Sequence, residues 1–189
     1  MIGLIQQTLL QMADASGVPD ARAEILRRAG LPADMHFRID TDYDDAQAEA
    51  LLAHACDVLQ VTREQAFERF AGVFLAQTLQ RFPAFYAMSR DSRAFLARQA
   101  AIHNVMASGL RNPGRRSQIN DKFHISTLDN GDLSVTYDSP RRWCGLYLAL
   151  AREVAQHYGD ALDVEVAQCH KRGAAQCVFH LHWPDATAP

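Results

Sequence analysis

The chain has 189 residues, of which 48% are hydrophobic and 22% charged, with a net charge of −3. Those values describe a globular chain long enough to bury a real core, and they argue against a broadly basic nucleic-acid binder. No apolar run reaches the roughly 20 residues that span a bilayer, and the opening "MIGLIQQTLLQMADASG" lacks a basic leader and carries Gln6 and Gln7 inside its apolar run. We therefore expect a cytoplasmic protein that binds neither membrane nor nucleic acid, with its four cysteines kept reduced.

The first two-thirds read as helical. Ile2, Ile5, Leu9 and Met12 make one apolar stripe that ends at Gly17. "PDARAEILRRAG" has an acidic start, a basic end and a closing Gly30. A polar loop precedes a helix predicted from about Asp44 to Leu59, and Thr62 with Gln65 fits a capping box for a helix to about Gln80. Pro83 breaks the chain, and a further helix is predicted from about Asp91 to Leu110.

From Pro113 the pattern changes. "KFHISTLDNGDLSVTYD" has two strand-like runs around Asp129, Asn130, Gly131 and Asp132, a hairpin signal. A helix follows from about Arg142 to Tyr158, and "LDVEVAQC" with "QCVFHLHW" reads as a second hairpin around Arg172 and Gly173. The expected class is α+β: a helical N-terminal part packed on a small antiparallel sheet with one helix. Residues 1–183 are read as a single domain and 184–189 as a tail.

Several stretches carry candidate chemistry, each with a plainer alternative. "DTDYDD" imitates the start of a calcium loop but has Asp45 where the glycine belongs and Leu51 where the bidentate glutamate belongs. A solvated loop that also caps the next helix explains it better. His103 stands in an apolar stripe with Leu96, Met106 and Leu110. Alone, that is a buried, hydrogen-bonded histidine; with a cofactor that supplies the remaining coordination, as haem does, it is an axial ligand. Cys169 and Cys177 flank a turn and can meet across it, with Cys144 approaching from the preceding helix. Three thiolates want a fourth ligand for structural zinc; the plainer reading is three small buried cysteines, as Cys56 is within its own helix. His170 should point to the opposite strand face from Cys169, and His180 has the wrong parity relative to Cys177. The eight histidines are otherwise scattered, with no phosphate loop and no HExxH motif.

The sharpest feature is "YDSPR". An extended chain would put Tyr137, Ser139 and Arg141 in one row of hydrogen-bond donors. Such a row suits a carboxylate or phosphate; the plainer reading is a strand end whose Ser139 and Pro140 cap the next helix.

With these residues in hand, the chain resembles the haem-nitric oxide/oxygen binding (H-NOX) domain, shared by bacterial gas sensors and soluble guanylate cyclases. The likeness covers nearly the whole chain: "MIGLI" at the start, "ILRRAGLP", "RFPAFY", "AAIH" with the proximal histidine, and the Tyr-x-Ser-x-Arg signature as "YDSPR". The resemblance implies a haem b held between the helical part and the sheet. His103 would be the axial iron ligand, and Tyr137, Ser139 and Arg141 would hold the propionates. Ile5, Leu9, Phe74, Met106, Pro113 and Leu146 would line the haem pocket.

Family members that hold oxygen place a tyrosine five residues after the signature arginine, with polar helpers. Here the corresponding positions are Leu146, Leu9 and Phe74, all apolar, and Tyr147 should face away. The resemblance thus implies a sensor of nitric oxide, with carbon monoxide as a further ligand, that does not hold oxygen stably. Nitric oxide would weaken the bond from iron to His103 and change the surface offered to a signalling partner, a histidine kinase or a cyclic-di-GMP enzyme. No catalytic domain follows residue 183, so the chain is read as a sensor and not an enzyme.

Two departures accompany the likeness. Many bacterial relatives bind zinc with three cysteines and a histidine; Cys144, Cys169 and Cys177 match, but the histidine position is Val166, leaving His170 as a substitute or the thiols as a redox input. The family's haem-bending proline has no match at its usual spacing, Pro113 being nearest. The competing functions are a haem-free module that binds an apolar carboxylic acid through the same donor row, and a thiol or zinc redox switch.

Overall fold

The computed structural model describes residues 3–108, 114, 121–139 and 141–184. It divides into two compact units, Met1–Gln77 and Thr78–Pro189, with the boundary inside one helix. None of the described helices is long and apolar enough to cross a membrane.

In the first unit, α1 (Leu4–Asp14), α2 (Ala21–Arg28) and α3 (Asp45–Leu59) pack against one another, followed by α4 (Arg63–Arg81). The α1 stripe buries Leu4, Leu9, Leu10 and Met12; Ile2 lies outside the described residues. Gly3 caps α1, and its N–H donates to Thr41 O at 2.8 Å. Asp44 caps α3 by accepting from Ala46 N at 2.9 Å, so the acidic loop does serve as a helix start. The capping box is present in both directions: Thr62 N donates to Gln65 Oε1 at 2.9 Å and Gln65 N to Thr62 Oγ1 at 3.2 Å. On α2, Glu24 accepts from Arg27 and Arg28, and these hydrogen bonds lower its pKa to about 2.

The second unit differs from expectation at three joints. Pro83 does not simply break the chain; it opens a short helix, α5 (Pro83–Ala87), where a missing N–H costs nothing. The predicted long helix is two, α6 (Ser92–Ala97) and α7 (Gln99–Ala107). Arg98 between them stands at φ −92° and ψ 0° and gives its guanidinium to Ser89 Oγ at 2.9 Å. Positions 109 and 110 lie outside the described residues. The last helix, α8 (Cys144–Tyr158), starts two residues later than predicted because Arg142 takes a left-handed conformation, φ +54°.

Four strands form one antiparallel sheet: β1 (Phe123–Thr127), β2 (Leu133–Tyr137), β3 (Asp163–Gln168) and β4 (Cys177–His182), in the order β1-β2-β4-β3. Both predicted hairpins exist. At the first, Gly131 sits at φ +84° and its N–H donates to Leu128 O, the turn geometry that favours glycine. The buried residues of β2 are Leu133, Val135 and Tyr137, directly opposite Leu181, Phe179 and Cys177 of β4. The Tyr147 ring of α8 stacks on Phe179 at 5.1 Å, which lays the helix across this face. Asp160, just past α8, accepts from Ser92 N and Oγ, and Trp183 Nε1 donates to the same Ser92 Oγ. One buried serine thereby joins the start of α6 to the ends of α8 and β4.

Two outcomes follow. A Cβ on Gly3 would lie 2.1 Å from Arg38 O and 2.6 Å from the Tyr43 ring. Gly3→Ala should therefore destabilise the fold by about 1–3 kcal/mol in thermal or denaturant unfolding. For Glu24, whose folded pKa is depressed, stability is present above about pH 4.5 and is lost as pH falls through about 2; carboxyl NMR should show that low titration midpoint, and a midpoint near 4.5 would rule out the pairing.

Candidate functional site

Burial sets the chemistry of α7. His103 lies edge-on to Phe123, with centroids 4.9 Å apart. Burial, reinforced by the Lys122 charge, lowers its pKa to about 3, so the imidazole is neutral at any physiological pH. A neutral ring nitrogen is what a metal requires of histidine. Phe123 also touches Tyr137 at 5.2 Å and Tyr147 at 5.4 Å, so a single ring joins His103 to the start of the "YDSPR" row.

The row is less regular than an extended chain would make it. β2 ends at Tyr137, Asp138 N donates to Lys122 O at 3.0 Å, and the chain then turns, with Arg142 N donating to Ser139 O at 3.0 Å. Tyr137 and Ser139 are both buried, and Arg141 follows on the turn, half-buried. Burial pushes the Tyr137 phenol up to about 12, against the opposing pull of a hydrogen bond from Ser139 and the Arg141 charge. Tyr137 is thus a protonated donor across the physiological range. Ser139 does not cap α8: the residue at that cap is Trp143, whose side chain makes no capping hydrogen bond.

The three cysteines do converge. Cys144 Sγ and Cys177 Sγ each lie 3.8 Å from Cys169 Sγ, and all three fall within 4.8 Å of one another. Burial raises the Cys144 thiol and raises Cys177 to about 12. At Cys169 burial is outweighed by hydrogen bonds from Lys171 N and the other two thiols, which lower it. His170 does not join this set. Its Nδ1 is 3.1 Å from Ala174 O, its Nε2 is 3.8 Å from Asp138 Oδ1, and its backbone N–H donates to Cys177 Sγ at 3.3 Å. His180 faces away, 3.4 Å from Glu165 Oε2, and Val166 pairs with Phe179. Cys56 is half-buried in α3, and burial raises its thiol.

Of the apolar positions, Leu9 and Leu146 are buried, whereas Ile5, Phe74 and Met106 are half-buried. Phe74 stacks on Phe70 at 5.7 Å. Pro113 lies outside the described residues. Two buried polar groups stand out beyond the predicted site residues. The Tyr147 hydroxyl and both amide atoms of Gln6 have no hydrogen-bond partner among the described residues. Gln6 within an apolar run was a visible signal; for Tyr147 the sequence gave only the expectation that it faces away, and its ring packs against Phe123, Tyr137 and Phe179.

The architecture is that of the H-NOX domains. An H-NOX protein from S. oneidensis in the Fe(II) state, a triple mutant, has a TM-score of 0.83 at 19% identity, covering 99% of this chain and 98% of that one. An oxygen-binding H-NOX domain related to soluble guanylate cyclases, in its oxygen complex, has a TM-score of 0.81 at 16% identity, covering 100% and 98%. The S. oneidensis protein in the Fe(II)NO state gives 0.77 at 19% identity, covering 98% and 100%. No curated protein matches the chain. The family model described as Haem-NO-binding matches residues 2–166, and the chain belongs to that family of haem-based gas sensors.

A buried hydroxyl with no partner costs roughly 1–3 kcal/mol in lost solvation. Tyr147→Phe should therefore leave the fold as stable as before or raise its stability by up to about 1 kcal/mol; a clear loss in thermal unfolding would show that the hydroxyl is bonded.

Proposed function

We propose that this chain is a haem-based nitric oxide sensor and not an enzyme, with His103 as axial iron ligand and Tyr137, Ser139 and Arg141 holding the haem carboxylates. The observation that carries this reading is the neutral, half-buried imidazole of His103, joined through one phenylalanine ring to a buried, protonated tyrosine. A haem demands that combination: an uncharged nitrogen for iron, flat apolar surroundings, and donors at one edge for two carboxylates. When bound, the haem supplies a ferrous iron able to take a diatomic gas. The rest of the chemistry belongs to the chain. Tyr137 and Ser139 donate, Arg141 adds charge, and His103 passes any change in its tether to α7, on which Val105 is 58% exposed.

The haem-pocket positions implied by the family resemblance are Ile5, Leu9, Phe74, Met106, Pro113 and Leu146. Leu9, Phe74 and Leu146 offer no hydrogen-bond donor to a bound gas, and nitric oxide needs none. Bound oxygen, which carries partial negative charge, gains from one. The proposed selectivity is therefore for nitric oxide, with carbon monoxide as a further ligand, and the output is a histidine kinase or a cyclic-di-GMP enzyme in the cytoplasm.

A second reading is favoured by one specific observation, the approach of the three sulfurs. Zinc bonds of about 2.3 Å put tetrahedral thiolates about 3.8 Å apart, the separation found for two of the three pairs. On that reading Cys144, Cys169 and Cys177 hold zinc, or act as a thiol redox input, with His170 outside the ligand set.

The purified ferrous protein should show a Soret band, bind nitric oxide, and form no stable oxygen complex on exposure to air. A stable oxy spectrum would overturn the selectivity, and a protein that stays colourless after haem addition would support the haem-free carboxylic acid module instead.

A further inference from the structure

The family resemblance gives no part to Phe123, yet this residue joins three elements of the second unit. It is the one buried residue of β1, 8% exposed, and it pairs with Tyr137 in the β1–β2 register. Its ring meets His103 of α7 at 4.9 Å, Tyr137 of β2 at 5.2 Å and Tyr147 of α8 at 5.4 Å. Tyr137 and Tyr147 are both buried and lie nearly parallel, 18° inclined and 6.3 Å apart. Backed by that pair, Phe123 cannot swing away from His103 without displacing a packed ring.

The contact with His103 is edge-to-face, with the two planes inclined at 66°. Among the described residues no polar group directs that imidazole. Its ring makes no hydrogen bond, and the one charge that acts on it is the cation of Lys122. A histidine that holds a metal usually donates its second ring N–H to a carboxylate or a carbonyl, which fixes the ring and raises its basicity. Here an aromatic ring does the orienting, and the charge at hand is opposite in sign to a carboxylate.

We propose that Phe123 is the positioning residue of His103, fixing the rotation of its imidazole and keeping acceptors and water from its second nitrogen. This rests on the haem reading above. An imidazole held by an apolar ring stays plainly neutral, a weaker tether for iron than one backed by a carboxylate. It also gives up little rotational freedom when it ligates, which favours binding. Phe123 thus sets how firmly α7 is tied to the cofactor, while Tyr137, its partner across the strands, holds the carboxylates.

The test compares the full wild-type chain with Phe123→Leu, which keeps the apolar bulk, and Phe123→Ala, which opens the space. In the ferrous, haem-loaded proteins the iron–histidine stretching band of the resonance Raman spectrum reports the tether. It should broaden in Phe123→Leu, as the imidazole samples several rotations. In Phe123→Ala it should broaden and move to higher frequency, as water accepts the uncovered N–H. The haem dissociation constant should rise about two- to tenfold in Phe123→Leu, the worth of one aromatic contact. A band unchanged in position and width in both variants overturns the proposal, even if their melting temperatures fall, because a purely structural ring acts that way. If Phe123→Ala fails to fold, Phe123→Leu decides the question. NMR of the His103 ring nitrogens in the haem-free chains is a second readout: one fixed ring in wild type, averaged signals in the variants. Identical ring signals in all three chains overturn the proposal as well. Haem that binds none of the chains overturns the haem reading instead, and the haem-free spectra then decide whether Phe123 fixes the imidazole.

Discussion

The antiparallel register that sets Tyr137 opposite Cys177 governs everything in the second unit that bears on function. Side chains alternate across a strand, so this one pairing sends Leu133, Val135 and Tyr137 to the same face as Leu181, Phe179 and Cys177. A slip of one residue would turn that face outward and send Thr136 and His180 into the core instead. The phenol, the thiols and the aromatic contacts to His103 all hang from this register.

Burial then assigns protonation states. His103 stays neutral and Tyr137 and Cys177 stay protonated because the charged form of each would lose its hydration. Such a layer offers donors and uncharged ligand atoms, which suits a large anionic plate better than a small charged metabolite. It also carries a cost. Tyr147 keeps its hydroxyl buried without a partner among the described residues, which stability alone does not favour.

The joints between elements are where local reasoning fell short. The break at Arg98 and the late start of α8 each rest on a bond or a backbone state that no periodicity shows. Ser92 and Asp160 are 68 residues apart, yet their hydrogen bonds decide how α6 meets α8. His170 is a similar case. Its neighbour Cys169 joins the thiol cluster, while its own ring is held between Ala174 and Asp138.

The amino-acid sequence by itself determined the element types, the capping box at Thr62 and Gln65, both hairpins, and the family resemblance carried by "AAIH" and "YDSPR". These are legible because helix stripes, strand alternation and caps depend on neighbours a few residues away. Only the tertiary structure decided that Tyr137 stands beside the thiols, that Arg141 leaves the strand on a turn, and that His170 reaches Asp138. Those outcomes rest on strand register and on contacts between residues far apart in the chain, which no local pattern encodes. The stretch "YDSPRRWC" is the point where the two kinds of information meet. Its residues announce a row of donors, and the fold sets that row against three sulfurs.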